Sequence, residues 1–295
     1  MRVPLLALAA LLGGAAVPPS AAAGPVSVSD AVGRTVEIAA PPMRIVPIFA
    51  SNVELVAALG LADRIVGIED YTRFPPEVLS RPRVGGRLGF SVDAVAAQRP
   101  DLVIVTPSRQ AMHQLLDPME RLGIPVIVLL ARSMEEVLGN LRLLGQALGA
   151  PEKGEAVAAS LARRLEVVAA GGAGRPCPSA VMVTGQLGNG LLLAARPDTY
   201  TGDAMVRSGA CFALAGRGAV PQVSPEAVLA SDPDVLLFAG SQQGLAELIA
   251  RPGFRDMRAV RAGRAFTVER AQFLIPGPRT VDGIETLART LRGMP

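Results

Sequence analysis

The chain of 295 residues is half apolar and only 3% aromatic, with 29 basic against 26 acidic side chains and a formal net charge of +3. So large an apolar share excludes a disordered chain. Near-balanced charge, basic residues scattered along the sequence and too few aromatics to stack on bases exclude a nucleic-acid footprint.

Arg2 gives a positive start, Val3 to Val17 is an apolar run, and Ala21-Ala22-Ala23 offers small residues to a signal peptidase. This is the pattern of a secretory leader over 1–23, cleaved near Ala23. The run is short for a membrane span, and Pro18 and Pro19 end it. No cysteine stands near the cleavage site to take a lipid, so a soluble periplasmic monomer beginning near Gly24 is expected. About 270 residues remain, enough for two modest lobes with separate cores.

Val26 to Val28 and Thr35 to Ile38 alternate around a turn, as a hairpin does. Arg44 to Phe49 reads as a strand, and Ser51-Asn52-Val53-Glu54 as a capping box opening a helix that Gly60 stops. Arg64 to Ile68 is a second strand, Ser91 to Gln98 a short helix, Asp101 to Thr106 a third strand, Gln110 to Leu122 a helix and Pro125 to Leu130 a fourth strand. Strand and helix alternate, which predicts a mainly parallel sheet covered by helices. Ser133-Met134-Glu135-Glu136 caps a helix to Leu148, and Pro151 starts another that runs to about Val168 before Gly171-Gly172. A helical connector of this kind holds its neighbours semi-rigidly. Alternation then resumes: strands at 180–184, 235–239 and 265–268, and helices at 202–208, 225–230, 245–250 and 281–291. The reading is α/β: two Rossmann-like lobes with mainly parallel sheets, 24–133 and 171–295, joined by helices over 134–170.

Cys177 and Cys211 lie in the second half. An oxidising compartment permits a bridge, which needs Cα atoms within about 7 Å. Sequence leaves that open beside a role as small buried apolar residues.

One stretch occurs twice. Ser91-Val-Asp-Ala-Val-Ala-Ala-Gln-Arg-Pro-Asp-Leu-Val-Ile-Val105 aligns with Ser224-Pro-Glu-Ala-Val-Leu-Ala-Ser-Asp-Pro-Asp-Val-Leu-Leu-Phe238 at one constant offset. Each copy reads as a serine cap, a short helix, a Pro-Asp turn and a buried strand. An acid, Asp93 or Glu226, stands two residues after each cap. Acids in a first helical turn also favour the macrodipole without further purpose, by about 0.3 to 1 kcal/mol.

Ser29 to Val36, Arg44-Ile45-Val46, Ser51 to Leu55, Arg64-Ile65-Val66-Gly67, Pro100 to Ile104, Leu122 to Val126 and Pro276-Gly277-Pro278-Arg279 follow one another in an order and spacing that span the chain. In these stretches the sequence resembles the periplasmic binding proteins of ABC importers for iron chelates, haem and cobalamin, the group with a helical backbone between its lobes. The resemblance implies a substrate-binding component that hands a small-molecule metal chelate to a permease and its ATPase, with no enzymatic activity and no resident cofactor. It also implies that Glu226, and Asp93 with a side chain one methylene shorter than the usual Glu, meet arginines on the permease.

Cleft residues should follow the C-terminal ends of the sheet strands. That nominates Asn52, Tyr71, Arg87, Phe90, Arg109, Gln186, Tyr200, Gln242, Phe273 and Arg279. A bare transition metal needs several imidazole and carboxylate ligands, and His113 is the one histidine. The cargo is therefore expected to arrive chelated. Haem-binding relatives often carry a tyrosine after the Val-Gly pair, where Gly86 follows Val84-Gly85 here. Cobalamin-binding relatives place tryptophans near the positions of Arg87 and Val220, although Tyr71 matches an aromatic position that meets corrinoid. Arginines grip planar anions bidentately, so Arg87, Arg109 and Arg279 favour a ferric siderophore; cobalamin, haem and a non-transport sensing role are the alternatives. No G-x-S-x-G elbow or phosphate-binding glycine loop marks an enzyme, and Gly185 to Gly190 reads as a turn.

Overall fold

In chain order, the computed structural model describes residues 24–86, 89–106, 112–214 and 222–294. The leader expected over 1–23, and with it the expected cleavage site, lies outside them. Strands β1 (Val26–Ser29) and β2 (Thr35–Ile38) pair antiparallel, and their alternation buries Val28, Val36 and Ile38 while Ser27 and Glu37 face out. The turn between them is fixed by Asp30, whose carboxylate accepts from the Val32 and Arg34 amides and pairs with the Arg34 guanidinium.

The first-lobe sheet is built of β3 (Ile45–Pro47), then β6 (Leu102–Val105) and β7 (Val126–Val128), in the order β3-β6-β7 and parallel throughout. Every residue of these strands is buried, as a sheet covered on both faces requires. Between β3 and β6 lie helix α1 (Ala50–Ala58), a two-residue ribbon of β4 (Gly85–Gly86) with β5 (Gly89–Phe90), and helix α2 (Val92–Ala97). A wide π-type turn over Met112–Leu116 leads into α3 (Asp117–Arg121), where a regular helix from Gln110 was expected. Residues 64–68 do not form the expected strand. They contribute single bridges, Ile45 to Ile65 and Ile68 to Arg83, because the segment changes partner within three residues. Ile65 and Ile68 are nevertheless fully buried, so the apolar reading of the run holds.

Helices α4 (Met134–Ala147) and α5 (Pro151–Gly172) form the connector, turned back on each other through Gly149 at φ +71°. Their contact is glycine on glycine: a Cβ on Gly145 would stand 2.8 Å from the Gly154 Cα. Ser133 caps α4 through the Glu136 amide as expected, but the Glu136 carboxylate returns to the Arg132 amide rather than to Ser133.

The second lobe contains β8 (Ser179–Gln186), β9 (Leu192–Ala194), α6 (Tyr200–Arg207), β10 (Cys211–Phe212), β11 (Gln222–Val223), α7 (Pro225–Ser231), β12 (Val235–Ala239), α8 (Gln242–Ile249), α9 (Arg258–Arg261), β13 (Ala265–Val268), α10 (Arg270–Leu274) and α11 (Thr280–Arg292). Among the described residues its sheet runs β11-β9-β8-β12-β13, with β10 on the first half of β8. β10 and β12 lie parallel to β8 and β13 parallel to β12, while β9 returns antiparallel. Cys177 and Cys211 are bridged, with Cα atoms 5.6 Å apart, beside the pairing of Cys211 with Ser179.

One apolar core passes through both lobes and the connector, from Ile45 and Ile104 through Leu161 and Leu165 to Leu237 and Ile284. Arg164 of α5 binds Glu285 and Asp282 of α11, and Arg207 of α6 binds Glu135 of α4 as well as Asp203 of its own helix. Two lobes on a packed helical connector result.

Candidate functional site

Parallel strands bring their C-terminal ends to one edge of each sheet, where loops can present side chains to a ligand. In the first lobe β3 ends at Pro47 and leads through Ile48 to Phe49, which holds φ +75° without being glycine. Such a backbone persists only where the surroundings enforce it. Here Phe49 meets Phe90 edge-on, with ring centroids 5.6 Å apart, and the Phe90 amide donates to the Gln114 side chain at 2.9 Å.

Helix α1 does not begin with the capping box read from the sequence. Its N-cap is Phe49, two residues before Ser51, and the buried Glu69 carboxylate accepts from the Ala50 amide at 2.8 Å in place of a serine cap. Burial raises the Glu69 pKa, against the stabilising Ala50 amide and with a further push from Asp70. Asn52 is buried and donates to the Ile48 carbonyl at 2.6 Å and to the Thr106 hydroxyl at 3.3 Å. Its amide thus supports the wall behind the strand ends and is not offered to a ligand.

Glu54 has a partner far along the chain. Its carboxylate is 2% exposed and binds the Arg279 guanidinium, with Nε donating at 2.9 Å. Burial raises the Glu54 pKa and outweighs Arg279, which lowers it through hydrogen bonding and charge. The Arg279 guanidinium also lies 4.2 Å from the Phe74 ring centroid, and Gly277 packs directly on Glu54. First-lobe Glu54 and Phe74 therefore clasp second-lobe Arg279 from two sides. Tyr71, on the same first-lobe segment as Phe74, leaves half of its surface to solvent.

Other nominated residues divide between wall and surface. Tyr200 and Phe273 are buried, 6% and 1% exposed, so they brace the second lobe rather than face solvent. The Tyr200 hydroxyl is bonded to Thr280 and accepts from the Gly277 amide at 3.2 Å, while Thr201 donates to the Phe273 carbonyl at 2.9 Å. This network fixes the Pro276 to Arg279 turn. Gln186 ends β8 on the surface, and Arg251 reaches its side chain at 3.5 Å. Gln242 opens α8 just beyond β12 and donates to Thr267 at 2.9 Å. Arg87, Arg109 and the side chain of His113 lie outside the described residues. The structure thus joins Arg279 to two residues the sequence reading had not nominated, Glu54 and Phe74. The signal available for Glu54 was a charge enclosed by apolar neighbours, Val53 and Leu55, in a helix of otherwise small or apolar residues.

The repeated stretch folds the same way twice. Ser91 accepts from the Ala94 amide at 3.1 Å and Ser224 from the Ala227 amide at 3.2 Å, and Val95 and Val228 are fully buried. Arg99 and Asp232 at the turns both take positive φ, 47° and 30°. Asp101 then accepts from the Met43 and Arg44 amides ahead of β3, as Asp234 accepts from the Ser179 amide and hydroxyl at the start of β8. Asp93 and Glu226 are exposed at matching places in the first turns of α2 and α7. The Glu226 carboxyl is held below its ordinary range by its own amide, then by the Ser224 hydroxyl and the charge of Arg251.

A family model described as "Periplasmic binding protein" matches residues 45–271. An ABC transporter substrate-binding lipoprotein of Bacillus subtilis strain 168 is 27% identical over 282 residues, covering 90% of this chain and 85% of its own. The solved periplasmic vitamin B12-binding protein of Vibrio cholerae superimposes with a TM-score of 0.75 at 22% identity, over 85% of this chain and 97% of that one. A solved periplasmic heme-binding protein of Pseudomonas aeruginosa gives 0.73 at 30% identity, over 84% and 92%.

Proposed function

The chain belongs to the periplasmic binding protein family, and from that premise we propose that it captures a ferric siderophore between its lobes and delivers it to an ABC permease through Asp93 and Glu226. Its role as the substrate-binding component of an importer of the siderophore, haem and vitamin B12 group follows from the family; cargo and docking residues are our reading. So are a division into lobes of 24–133 and 171–295 around a connector of 134–170, and action as a monomer in the periplasm.

Gly86 is the observation that carries the cargo choice. Glycine stands where haem carriers of the resembled family hold an axial tyrosine, and a Cβ there would stand 2.8 Å from the Asp70 Cβ, so this chain packs Asp70 against that position instead. Without tryptophan the chain also lacks the indole faces that the resemblance assigns to corrinoid binding. Tyr71, exposed three residues before Phe74, supplies an aromatic face and keeps cobalamin as the second reading.

A melting-temperature screen of the mature protein against ferric siderophores, cyanocobalamin and haemin tests the proposal. A ligand at one hundred times its Kd stabilises the folded state by about 2.7 kcal/mol. A shift with cyanocobalamin or haemin and none with any ferric siderophore would overturn the cargo assignment.

A further inference from the structure

The second lobe holds a cavity of about 630 Å³ at the edge of the sheet where β8, β12 and β13 begin. Pro178, Asp234 and Arg264 precede those strands and line it, together with the last turns of α5, α6 and α11 and the exposed Cys177 of the disulfide. The strands run from this edge toward Gln186, Ala239 and Val268. At about 3.3 Å per residue, β8 alone separates the cavity from the lobe-facing edge by more than roughly 20 Å. Nothing that binds here touches the Glu54–Arg279 clasp.

The cavity lining combines apolar and cationic side chains. Val168, Val206 and Leu291 give the apolar wall, and Val206 leaves 46% of its surface exposed. Arg175 and Arg292 give the charge, and neither forms an ion pair among the described residues. Arg175 Nη1 donates to the Arg292 carbonyl at 3.5 Å and Arg292 Nε to the Ala288 carbonyl at 3.0 Å. The single acid of the lining, Asp234, is already taken by the Ser179 amide and hydroxyl at 2.9 and 2.7 Å and by Arg258 at 3.3 Å. The cavity therefore presents uncompensated guanidinium charge above an aliphatic surface, at a volume inside the range of about 300 to 1,000 Å³ usual for small-molecule sites.

We infer that this cavity binds a small amphipathic anion, an aliphatic chain ending in a carboxylate, with its head on Arg175 and Arg292 and its chain along Val168, Val206 and Leu291. Guanidinium groups grip a carboxylate bidentately, and the apolar wall removes the chain from water.

Calorimetric titration of the mature protein with dodecanoate tests this, with dodecanol and dodecyltrimethylammonium as neutral and cationic counterparts. One equivalent of dodecanoate should bind at least tenfold more tightly than either counterpart. Arg175→Gln with Arg292→Gln should weaken it about tenfold. A Cβ at Gly172 meets nothing within 4 Å, so Gly172→Leu should fill the space and abolish binding while leaving the chelate-induced melting shift unchanged. Arg175 is exposed, so Arg175→Gln alone carries the test if the other variants melt low. Absence of saturable binding, equal affinity for all three probes, or full affinity in a folded Gly172→Leu protein would overturn the assignment.

Discussion

Arg279 stands between a buried carboxylate and an aromatic face, and this position governs what its loss does. Removing one partner of a buried pair strands the other charge, typically at about 3 kcal/mol or more. Arg279→Met should therefore destabilise the protein by about 3 kcal/mol near neutral pH, by urea denaturation. The penalty should shrink in acid, where the stranded Glu54 takes up a proton. In the wild-type chain burial already raises the Glu54 pKa above 4.5, so the folded state holds this proton more tightly than the unfolded one. Its contribution to stability is fully present below pH 4.5 and is lost as pH rises through the folded pKa. Glu54→Gln removes that loss, and its stability curve should be flatter than the wild type's above pH 4.5. An unchanged slope would mean that Glu54 is not the group responsible. The sequence carried Arg279 as a ligand-binding residue because nothing local announces a partner 225 positions away.

At the scale of elements, most of the fold was legible because period and capping are local. The serine caps at 91, 133 and 224 and the parallel strands at 102–105, 126–128 and 235–239 lie where the pattern placed them. The misreadings share a cause in tertiary contact. The α1 box failed because Glu69 reaches the helix start from another segment, and residues 64–68 lost their strand to alternating partners. β9 lies in the apolar run 191–195 that the pattern passed over, whereas two-residue β11 follows from pairing with β9. The candidate site was less legible than the fold, since burial decides whether Asn52, Tyr200 and Phe273 face a ligand or brace a wall. The connector offers a sharper test. Gly145 and Gly154 touch backbone to backbone, so Gly145→Val must force α4 and α5 apart. Overpacking of this kind costs about 1 to 3 kcal/mol, and thermal denaturation should record the loss. Wild-type stability in that variant would show that the helices can separate freely.

Across the whole molecule, the continuous core from Ile45 to Ile284 ties both lobes to the connector, and the Arg164–Glu285 and Arg207–Glu135 ion pairs add to the hold on the second lobe. Packed helices slide by small amounts rather than swing, so cargo should rock the lobes by only a few degrees. Small-angle scattering curves with and without cargo should nearly superimpose; a gross change in maximum dimension would contradict this. A lobe pair held so firmly keeps Asp93 and Glu226 at a fixed spacing, which suits two exposed acids meeting a permease in register. Exposed ion pairs contribute below about 1 kcal/mol each, so in the docking role we propose these acids would serve orientation more than affinity. Asp93→Ala with Glu226→Ala should leave cargo affinity unchanged and abolish stimulation of the transporter's ATPase in reconstituted vesicles. Full stimulation by that variant would remove both residues from the docking role.

The Glu54–Arg279 clasp also sets a schedule for folding. A chain that emerges from its N-terminus presents Glu54 long before Arg279. Until the last strand and helix arrive, α1 has either a carboxylate with no cation to meet or a protonated acid in its place. The first lobe therefore cannot reach its final form alone, and the slowest productive step should be the return of residues 276–292 onto structure laid down at the start. Contacts of such long separation slow folding, because loop closure precedes any reward from packing. The intermediate with its apolar seam for α11 uncovered is the species most exposed to misassociation.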